Sequence, residues 1–326
     1  MSLSVLDHEW RWKHLYFIRT DQGIVKIRPR DDQRQILDLL YPAFFSQQQN
    51  NVVILKNRQR GTSTLCSLFC EDCTAYYPGK VANTLADTQS RAASIFDNVA
   101  KFAWDRIPKG LKPRADKDNV SALEFSADIG SKYIVSATKS EPADILHISE
   151  APYFPDEGKI TEALQMVRKN GITIMESTAF GVGNLFEKTF TAAWQAKKAG
   201  KYHHWDALFF PWYTDPTNTV KVHPEMQLKN KAFIEELAQR YNLTPGQMFF
   251  YDQKMFDLDE EVFQFYPSEP EEAFLSSGRP VFNLPMLKVL EEHQARQPLR
   301  ITEDGIEVYE EFNPAYHYGI GVDTAE

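Results

Sequence analysis

The sequence KNRQRGTST at residues 56–64 follows directly on the apolar run NVVIL at residues 51–55. Its spacing resembles that of a phosphate-binding loop, G-x-x-x-x-G-K-[ST]. Two positions depart from that pattern, because Lys56 stands where the first glycine is usual and Thr62 stands where the lysine is usual. The stretch therefore has two interpretations: a nucleotide-binding loop whose cation has moved, or a basic turn before a helix.

The residues around this loop favour the first interpretation. Residues 52–55 predict a buried strand, and residues 63–77 predict a helix with apolar residues every three or four positions. Backbone N–H groups at the start of such a helix attract phosphate oxygens. Ser63 supplies a hydroxyl of the kind that binds magnesium, and Arg58 and Arg60 add cations suited to phosphate. The sequence thus predicts a variant phosphate loop.

Composition limits the class of protein. The chain has 326 residues, 43% hydrophobic and 25% charged, which is typical of globular proteins and allows more than one domain. No window approaches the roughly 18 apolar residues of a membrane span, and the N-terminus lacks a secretory signal pattern. Three cysteines do not make a disulfide framework, and a net charge of −9 argues against a broad basic DNA-binding surface.

The rest of the chain predicts an α/β fold. Apolar runs at 81–86, 133–136, 145–149 and 172–175 predict short strands, which alternate with amphipathic helices at 33–45, 63–77 and 88–104. The first of these helices is expected to end near Pro42. Strands alternating with helices predict a largely parallel sheet flanked by helices. The expected organisation is an irregular aromatic arm at 1–30, the α/β core at 31–210, a smaller helical lid or linker subdomain at 211–313, and a last strand within 314–326.

Two strand ends carry polar residues that suit phosphate chemistry. The run ILHISE at 145–150 places Glu150 after an apolar strand, where a nucleotide hydrolase holds the acid that activates water. Ser149 replaces the usual aspartate, so magnesium is expected to depend on Ser63, Ser149 and water. The run ITIMEST at 172–178 ends in Glu176, Ser177 and Thr178, a pattern that fits either a γ-phosphate sensor or a plain exit from a strand.

These motifs, in this order, resemble the large terminase subunits of tailed bacteriophages over nearly the whole chain. The family's phosphate loop is similar to the RQRG run at 58–61, its acid motif to HISE at 147–150, and its coupling motif to STA at 177–179 followed by GVGN at 181–184. The segments FPWYTDP at 210–216 and FQFYPSEPEEAFLSSGRPVF at 263–282 also resemble the parts that follow the family's ATPase core.

The resemblance implies a P-loop NTPase fold and an ATP-hydrolysing motor that uses Mg²⁺ to drive double-stranded DNA into a procapsid. The implied partners are double-stranded DNA, the portal protein, the small terminase subunit and other copies of the chain in a ring, in the host cytoplasm and transiently at the portal. Glu150 and Arg58 are the expected catalytic residues, and Ser177, Thr178 and Ala179 the coupling residues. The expected ATP-binding residues are Gln33, Lys56, Asn57, Arg58, Gln59, Arg60, Gly61, Thr62, Ser63 and Thr64.

Two features depart from the family pattern. The segment SATKSEPAD at 136–144 lacks the arginine that many members carry before the acid strand, which leaves Lys139, Arg58 or Arg168 as alternatives for a cation acting within or between subunits. The run HYGIGVDTAE at 317–326 resembles the first strand of the family's nuclease, with Asp323 as its first acid. Because two-metal nucleases need several carboxylates from different strands, no DNA cleavage is expected from this chain.

Three other interpretations compete with the motor. Cys66, Cys70 and Cys73 have the C-x3-C-x2-C spacing of iron–sulfur enzymes, although on a helix these positions are typical of buried packing. His147 is likewise more typical of a packed core residue than of a catalyst. A nucleic-acid-stimulated helicase or repair ATPase is the main alternative function, and a nucleotide-binding scaffold without turnover is the other.

Overall fold

In the computed structural model, a mixed β-sheet lies at the centre of the larger of two units, Met1–Arg279 and Pro280–Glu326. The structure describes residues 3–118, 121–126, 128–138, 141–275, 298–302, 307–311 and 313–314. Its strands are β1 (Phe17–Thr20), β2 (Gly23–Lys26), β3 (Asn50–Lys56), β4 (Val81–Leu85), β5 (Ala115–Asp118), β6 (Ala122–Phe125), β7 (Lys132–Ser136), β8 (Ala143–Ser149), β9 (Val167–Ser177), β10 (Asp206–Phe210), β11 (Arg300–Ile301) and β12 (Glu307–Val308). Its α-helices are α1 (His8–His14), α2 (Asp31–Ser46), α3 (Thr62–Tyr76), α4 (Gln89–Ile95), α5 (Lys101–Trp104), α6 (Gly158–Gln165), α7 (Leu185–Lys198), α8 (Lys231–Tyr241), α9 (Pro245–Leu258), α10 (Glu261–Phe265) and α11 (Pro270–Leu275).

Within the described residues the central sheet has eight strands in the order β10-β3-β9-β8-β4-β7-β6-β5. The strands from β10 to β7 pair in parallel, whereas β6 and β5 continue the sheet in antiparallel pairing. The predicted α/β fold with a mostly parallel sheet is confirmed. The strands β5, β6 and β10 were not predicted from the sequence.

Alternation along β3 directs side chains to both faces of the sheet. Val52 and Ile54 pack in a core that also contains residues of α1, α2, α3 and α4, whereas Val53 and Leu55 pack in a second core with α6 and α7. Both faces are therefore covered, which explains the continuous apolar run before the loop. No helix in the described ranges is long and apolar enough to cross a bilayer.

A third apolar cluster lies in the segment that follows β10. Trp212 is fully buried there, stacks on Tyr251 with ring centroids 4.4 Å apart, and packs with Ile234 and Val262. These side chains join α8, α9 and α10, so the described chain between residues 231 and 265 is mainly helical.

The N-terminal arm is not irregular, contrary to expectation. It forms α1 and the antiparallel hairpin β1–β2, and Arg11 of α1 donates from its guanidinium Nε to Asp72 of α3 at 2.6 Å. Tyr16 and Tyr41 also donate their hydroxyls to this carboxylate, the latter at 2.8 Å. Because Arg11 and Asp72 are fully buried, this cluster fixes the arm and α2 to the helix that follows the loop.

Helix α2 continues past Pro42, which the sequence predicted to be its end. Pro42 lies inside the helix, and the Ser46 hydroxyl donates to its carbonyl at 2.7 Å. Ala43 and Phe44 are buried in the core beyond the proline. Their packing offsets the backbone hydrogen bond that proline removes, so the last turn is kept.

The three cysteines of α3 are packing residues. Cys66, Cys70 and Cys73 are fully buried in the core, and burial raises the pKa of each thiol. No cluster of three or more His, Cys, Asp or Glu side chains able to hold a metal ion occurs in the described part of the chain. These observations do not support an iron–sulfur centre on this helix.

Glu71 of α3 is fully buried, and neither of its carboxyl oxygens has a hydrogen-bond partner among the described residues. Burial, with the nearby Asp72, raises the pKa of this carboxyl well above its usual value. Its protonated form is therefore favoured in the folded state, and the unfolded state loses the proton first as pH rises.

We expect Glu71→Gln to change how stability depends on pH. Wild-type stability should fall as pH rises above the unfolded-state pKa of Glu71, by about 1.4 kcal/mol per pH unit, until the folded-state pKa is reached. The neutral glutamine removes this dependence, so the variant should be more stable than wild type at pH 8 and similar near pH 4.5. Urea unfolding across this range measures the difference, with exposed Glu162→Gln as control. Parallel stability curves for wild type and Glu71→Gln would contradict it.

Candidate active site

The loop between β3 and α3 is shaped by backbone conformations in the left-handed region. Gly61 has φ of 74° and Gln59 has φ of 60°. A Cβ on Gly61 would lie 3.3 Å from the Gln33 side-chain nitrogen, so glycine suits both the conformation and the space. Within the described residues no side chain caps the N-terminus of α3, which leaves first-turn N–H groups free to meet an anion.

Arg60 holds this loop in place. Its guanidinium donates to Asp32 at 2.7 Å, to the Asn57 side chain at 2.8 Å, to the carbonyl of Pro211 at 2.9 Å and to Thr214 at 2.8 Å. The side chain is 1% exposed. The Arg60 guanidinium is thus already hydrogen-bonded to other residues of the chain. The nucleotide contact predicted for Arg60 would therefore be made by its backbone, and it stays a prediction.

Gln33 contacts the loop from α2. Its side-chain nitrogen donates to the Arg60 carbonyl at 3.4 Å, and its side-chain oxygen accepts from the Arg30 backbone N–H at 3.1 Å. Gln33 is buried beside Gly61, and the ATP contact expected of it remains a prediction.

Lys56, the last residue of β3, lies between two carboxylates. Its ammonium nitrogen is 3.0 Å from Glu150 Oε1 and 3.1 Å from Glu176 Oε2. Burial by itself would lower the pKa of this lysine, but the two carboxylates raise the pKa above its usual value. Lys56 is therefore charged, and it carries positive charge into the first position of the loop.

Glu150 follows β8 in a left-handed conformation, with φ of 57°. Its backbone N–H donates to the Glu176 carbonyl at 2.8 Å, and its side chain accepts from Lys56 at 3.0 Å and from the Ser177 hydroxyl at 2.7 Å. A positive φ at a non-glycine residue is strained and is enriched at functional sites. The candidate catalytic carboxylate is thus held by groups from β3 and β9.

The strand order explains why these residues meet. β9 lies between β3 and β8, with Leu55 opposite Ser177 and Ser149 opposite Glu176. Because the three strands run in parallel, their carboxyl ends reach the same edge of the sheet, where ligands bind in open α/β sheets.

Arg58 is the exposed cation of the loop. Its guanidinium carbon lies 4.9 Å from the centre of the Phe265 ring, and its backbone N–H donates to the Phe265 carbonyl at 2.8 Å. Among the described residues it makes no ion pair, unlike Lys56 and Arg60. Arg58 is therefore available for an incoming phosphate, and α10 supports it.

The predicted coupling residues are largely buried. Ser177 reaches Glu150, and Thr178 hydrogen-bonds the Tyr153 hydroxyl at 3.1 Å. Gln264 of α10 donates to the same Tyr153 hydroxyl at 3.2 Å. Thr178 is thereby linked through Tyr153 to the helical segment, whereas Ala179 packs in the core with α6 and α7.

The other residues considered for the site lie elsewhere. Arg168 is the second residue of β9, at the opposite end of the strand from Ser177, and donates to Asp144 at 2.6 Å. Lys139 and Asp323 lie outside the described residues. Of the three candidate cations, Arg58 is thus the one that lies in the described chain and makes no ion pair there.

Glu176 belongs to the run whose sequence fits either a γ-phosphate sensor or a plain exit from a strand. It is fully buried, and burial would raise the pKa of its carboxyl, but Lys56 and His147 hold that pKa far below its usual value. A charged residue directly after the apolar run ITIM was the signal available in the sequence. Its partners come from two other strands, which local patterns do not reveal.

The oxygen ligands at this edge fit a hard cation. Ser63 lies in the first turn of α3 and contributes to stabilising the Glu176 anion, and Ser149 is buried opposite Glu176 on β8. Hydroxyl and carboxylate oxygens are the ligands that Mg²⁺ prefers, with water completing its shell. The residues present thus fit a magnesium ion that arrives with a nucleotide.

A parallel sheet in which the loop strand, a polar-ended strand and the acid strand are neighbours defines the P-loop ATPase fold. No protein-family model matches the sequence, and no curated protein sequence is significantly similar to it.

Solved structures do resemble the chain. The HK97 bacteriophage large terminase matches with a TM-score of 0.54 and 13% identity, over 82% of this chain and 55% of that one. The ATPase domain of the Thermus phage P74-26 large terminase matches with a TM-score of 0.45 and 15% identity, over 74% and 99%. The Hef helicase domain of Pyrococcus furiosus matches with a TM-score of 0.35 and 14% identity, over 86% and 56%. The likeness to the HK97 protein establishes a shared fold, and the chain spans about half of that protein's length.

We expect Arg58→Ala to weaken nucleotide binding without affecting the fold. Loss of one charge-assisted contact to phosphate should lower ATP affinity by about tenfold. The melting temperature should stay within about 2 °C of wild type, because an exposed side chain contributes little to stability. Fluorescent-nucleotide binding and thermal melts measure both effects, with exposed Arg34→Ala as the control. Unchanged ATP affinity would contradict the role given to Arg58.

Proposed function

We propose that this chain is an ATP-hydrolysing motor of the phage large terminase type. The observation that carries the proposal is the position of Glu150, which lies beside the loop and is held by Lys56 and Ser177 at 3.0 and 2.7 Å. The shared fold with the HK97 large terminase supports the same assignment.

The residues of the site take distinct parts in the proposed reaction. First-turn N–H groups of α3 and the side chains of Lys56 and Arg58 bind the phosphates. Lys56 then exchanges part of its contact with Glu150 for phosphate, which frees the carboxylate to accept a proton from the attacking water. Mg²⁺ bound with ATP, near Ser63 and Ser149, would neutralise phosphate charge.

Hydrolysis is proposed to reach the helical segment through two links. Ser177 contacts Glu150 directly, and Thr178 contacts Tyr153, which accepts from Gln264 of α10. Arg58 is joined to the same helix through Phe265. A change at the γ-phosphate can therefore reach α10 both through Tyr153 and through Arg58, and a motor needs such a connection to move one element against another.

The proposed partners are double-stranded DNA, a portal protein, a small terminase subunit and other copies of the chain in a ring. The proposed location is the host cytoplasm, transiently at the portal. These partners follow from the sequence resemblance, which the shared fold supports.

The test is steady-state phosphate release, measured with linear double-stranded DNA and with procapsids that carry a portal. We expect low basal turnover that rises at least several-fold when both are present, because neighbouring subunits complete the site. Turnover that is high in dilute protein and unchanged by DNA and procapsids would contradict packaging. Turnover stimulated equally by DNA alone would favour a helicase or repair ATPase.

A further inference from the structure

A line of buried polar side chains crosses the sheet beneath α3. His147 Nε2 lies 3.3 Å from Glu176 Oε1, and His147 Nδ1 lies 3.2 Å from the Thr84 hydroxyl. The Thr84 hydroxyl lies 2.9 Å from that of Tyr133, which is 2.7 Å from that of Ser67 on α3. Each of the five residues is at most 1% exposed. The line begins at Lys56 and ends on the helix that follows the phosphate loop.

The hydrogen bond between His147 and Glu176 has a defined direction. An ionised carboxylate only accepts, so His147 Nε2 carries a proton and donates to Glu176. In the contacts beyond Nδ1, either partner can donate. Because both ring nitrogens contact polar groups, the imidazole is held in one ring position.

The two carboxylates that hold Lys56 differ in freedom. The Glu150 side chain is 21% exposed and follows the strand in a left-handed conformation, whereas the Glu176 side chain is fully buried and held by His147. Glu150 must turn toward water to act as a base. If Glu150 were the sole counter-ion of Lys56, its departure before phosphate contacts the lysine would leave a buried charge unpaired, which is strongly unfavourable.

We propose that Glu176 and His147 are positioning residues: Glu176 is the permanent counter-ion of Lys56, and His147 fixes Glu176, so that Glu150 is free to leave the lysine during catalysis. This inference rests on the proposed ATPase function. Glu176, which precedes the predicted coupling residues, and His147 of the acid strand thereby take part in the same reaction.

The test separates turnover from binding in three variants. In Glu176→Gln, Lys56 keeps Glu150 as its charged partner, so kcat should fall by about tenfold or more while ATP affinity changes by less than about threefold. His147→Phe should lower kcat in the same way, because Glu176 loses its support. His147→Gln, whose amide can still donate to Glu176, should recover part of the loss.

Thr173→Val is the matched control, because Thr173 is a buried polar residue on the same strand and outside the line. It should leave kcat within about twofold of wild type. Urea unfolding of every variant checks the fold. If Glu176→Gln does not fold, Glu176→Asp, whose shorter side chain moves the carboxylate away from Lys56, and His147→Phe decide, with the same fall in kcat expected.

Two results would overturn the inference: near wild-type kcat in both Glu176→Gln and His147→Phe, or equal losses of kcat and ATP affinity in them. A wild-type chain that does not bind or hydrolyse ATP would instead refute the proposed function. In that case a double-mutant cycle of Lys56→Met and Glu176→Gln in unfolding still tests the pairing. Non-additive shifts in the urea midpoint support a permanent pair, and additive shifts overturn it.

Discussion

Glu150→Gln should bind ATP with an affinity within about threefold of wild type. Its rate of ATP hydrolysis should fall by about a hundredfold or more. Binding survives because the α3 N-terminus, Lys56 and Arg58 remain, and because Glu176 still neutralises Lys56 at 3.1 Å. Hydrolysis fails because glutamine cannot take a proton from water. The Ser177 hydroxyl, which donates to Glu150 at 2.7 Å, can donate equally to the amide oxygen, so the site should keep its shape.

Single-turnover phosphate release and equilibrium nucleotide binding measure these two effects separately. Glu162→Gln on α6 is the matched control, since it removes one exposed glutamate outside the site. It should behave as wild type in both measurements. Hydrolysis by Glu150→Gln within about threefold of wild type would remove Glu150 from the mechanism.

Arg60→Lys should destabilise the protein and lose ATP binding together. The guanidinium reaches four groups, on Asp32, Asn57, Pro211 and Thr214, and a lysine ammonium cannot reach them all at once. Disrupting a buried charged network of this kind costs about 3 kcal/mol. Because the same contacts fix the loop before Gly61, ATP affinity should fall by about tenfold or more.

Arg58→Lys provides the comparison within the same loop. Both changes conserve charge, but the Arg58 side chain is exposed and lies against the Phe265 ring. Urea midpoints should therefore fall for Arg60→Lys and stay near wild type for Arg58→Lys. Equal stability of the two variants would show that the Arg60 contacts do not hold the loop.

The loop and the ends of the central strands were predictable because their signals are local. An apolar run, a glycine in the left-handed region and a helix follow one another between Asn50 and Tyr76. The parallel sheet followed from the alternation of such runs with helices. Three strands of the central sheet were not predicted: the antiparallel strands β5 and β6, and β10, which pairs with β3.

The use of each charge in the loop was not predictable, because the partners are distant in sequence. Lys56 meets carboxylates 94 and 120 positions away, and Arg60 reaches residues of α2 and of the segment after β10. Three neighbouring cations therefore looked alike in the sequence. In the structure, Lys56 is buried between two carboxylates, Arg60 holds the loop in place, and Arg58 is exposed.

The partners of His147 could not be predicted from the sequence either. Its sequence position is typical of a packed core residue, and it is fully buried, but both ring nitrogens also contact polar groups on neighbouring strands. A histidine that only packs in the core and one that positions a carboxylate would both be buried at this place. Only the identity of the neighbours, Thr84 on β4 and Glu176 on β9, distinguishes the two roles.

Phosphate release from MgATP by the purified wild-type chain, beside Glu150→Gln, tests the central claim most directly. The assay should include DNA and portal-bearing procapsids, with nucleotide binding measured on the same samples. We predict that both proteins bind ATP and that wild type releases phosphate about a hundredfold faster than the variant. Equal rates of phosphate release in two proteins that both bind ATP would contradict this prediction, and no release by either protein would identify a nucleotide-binding scaffold instead of a motor.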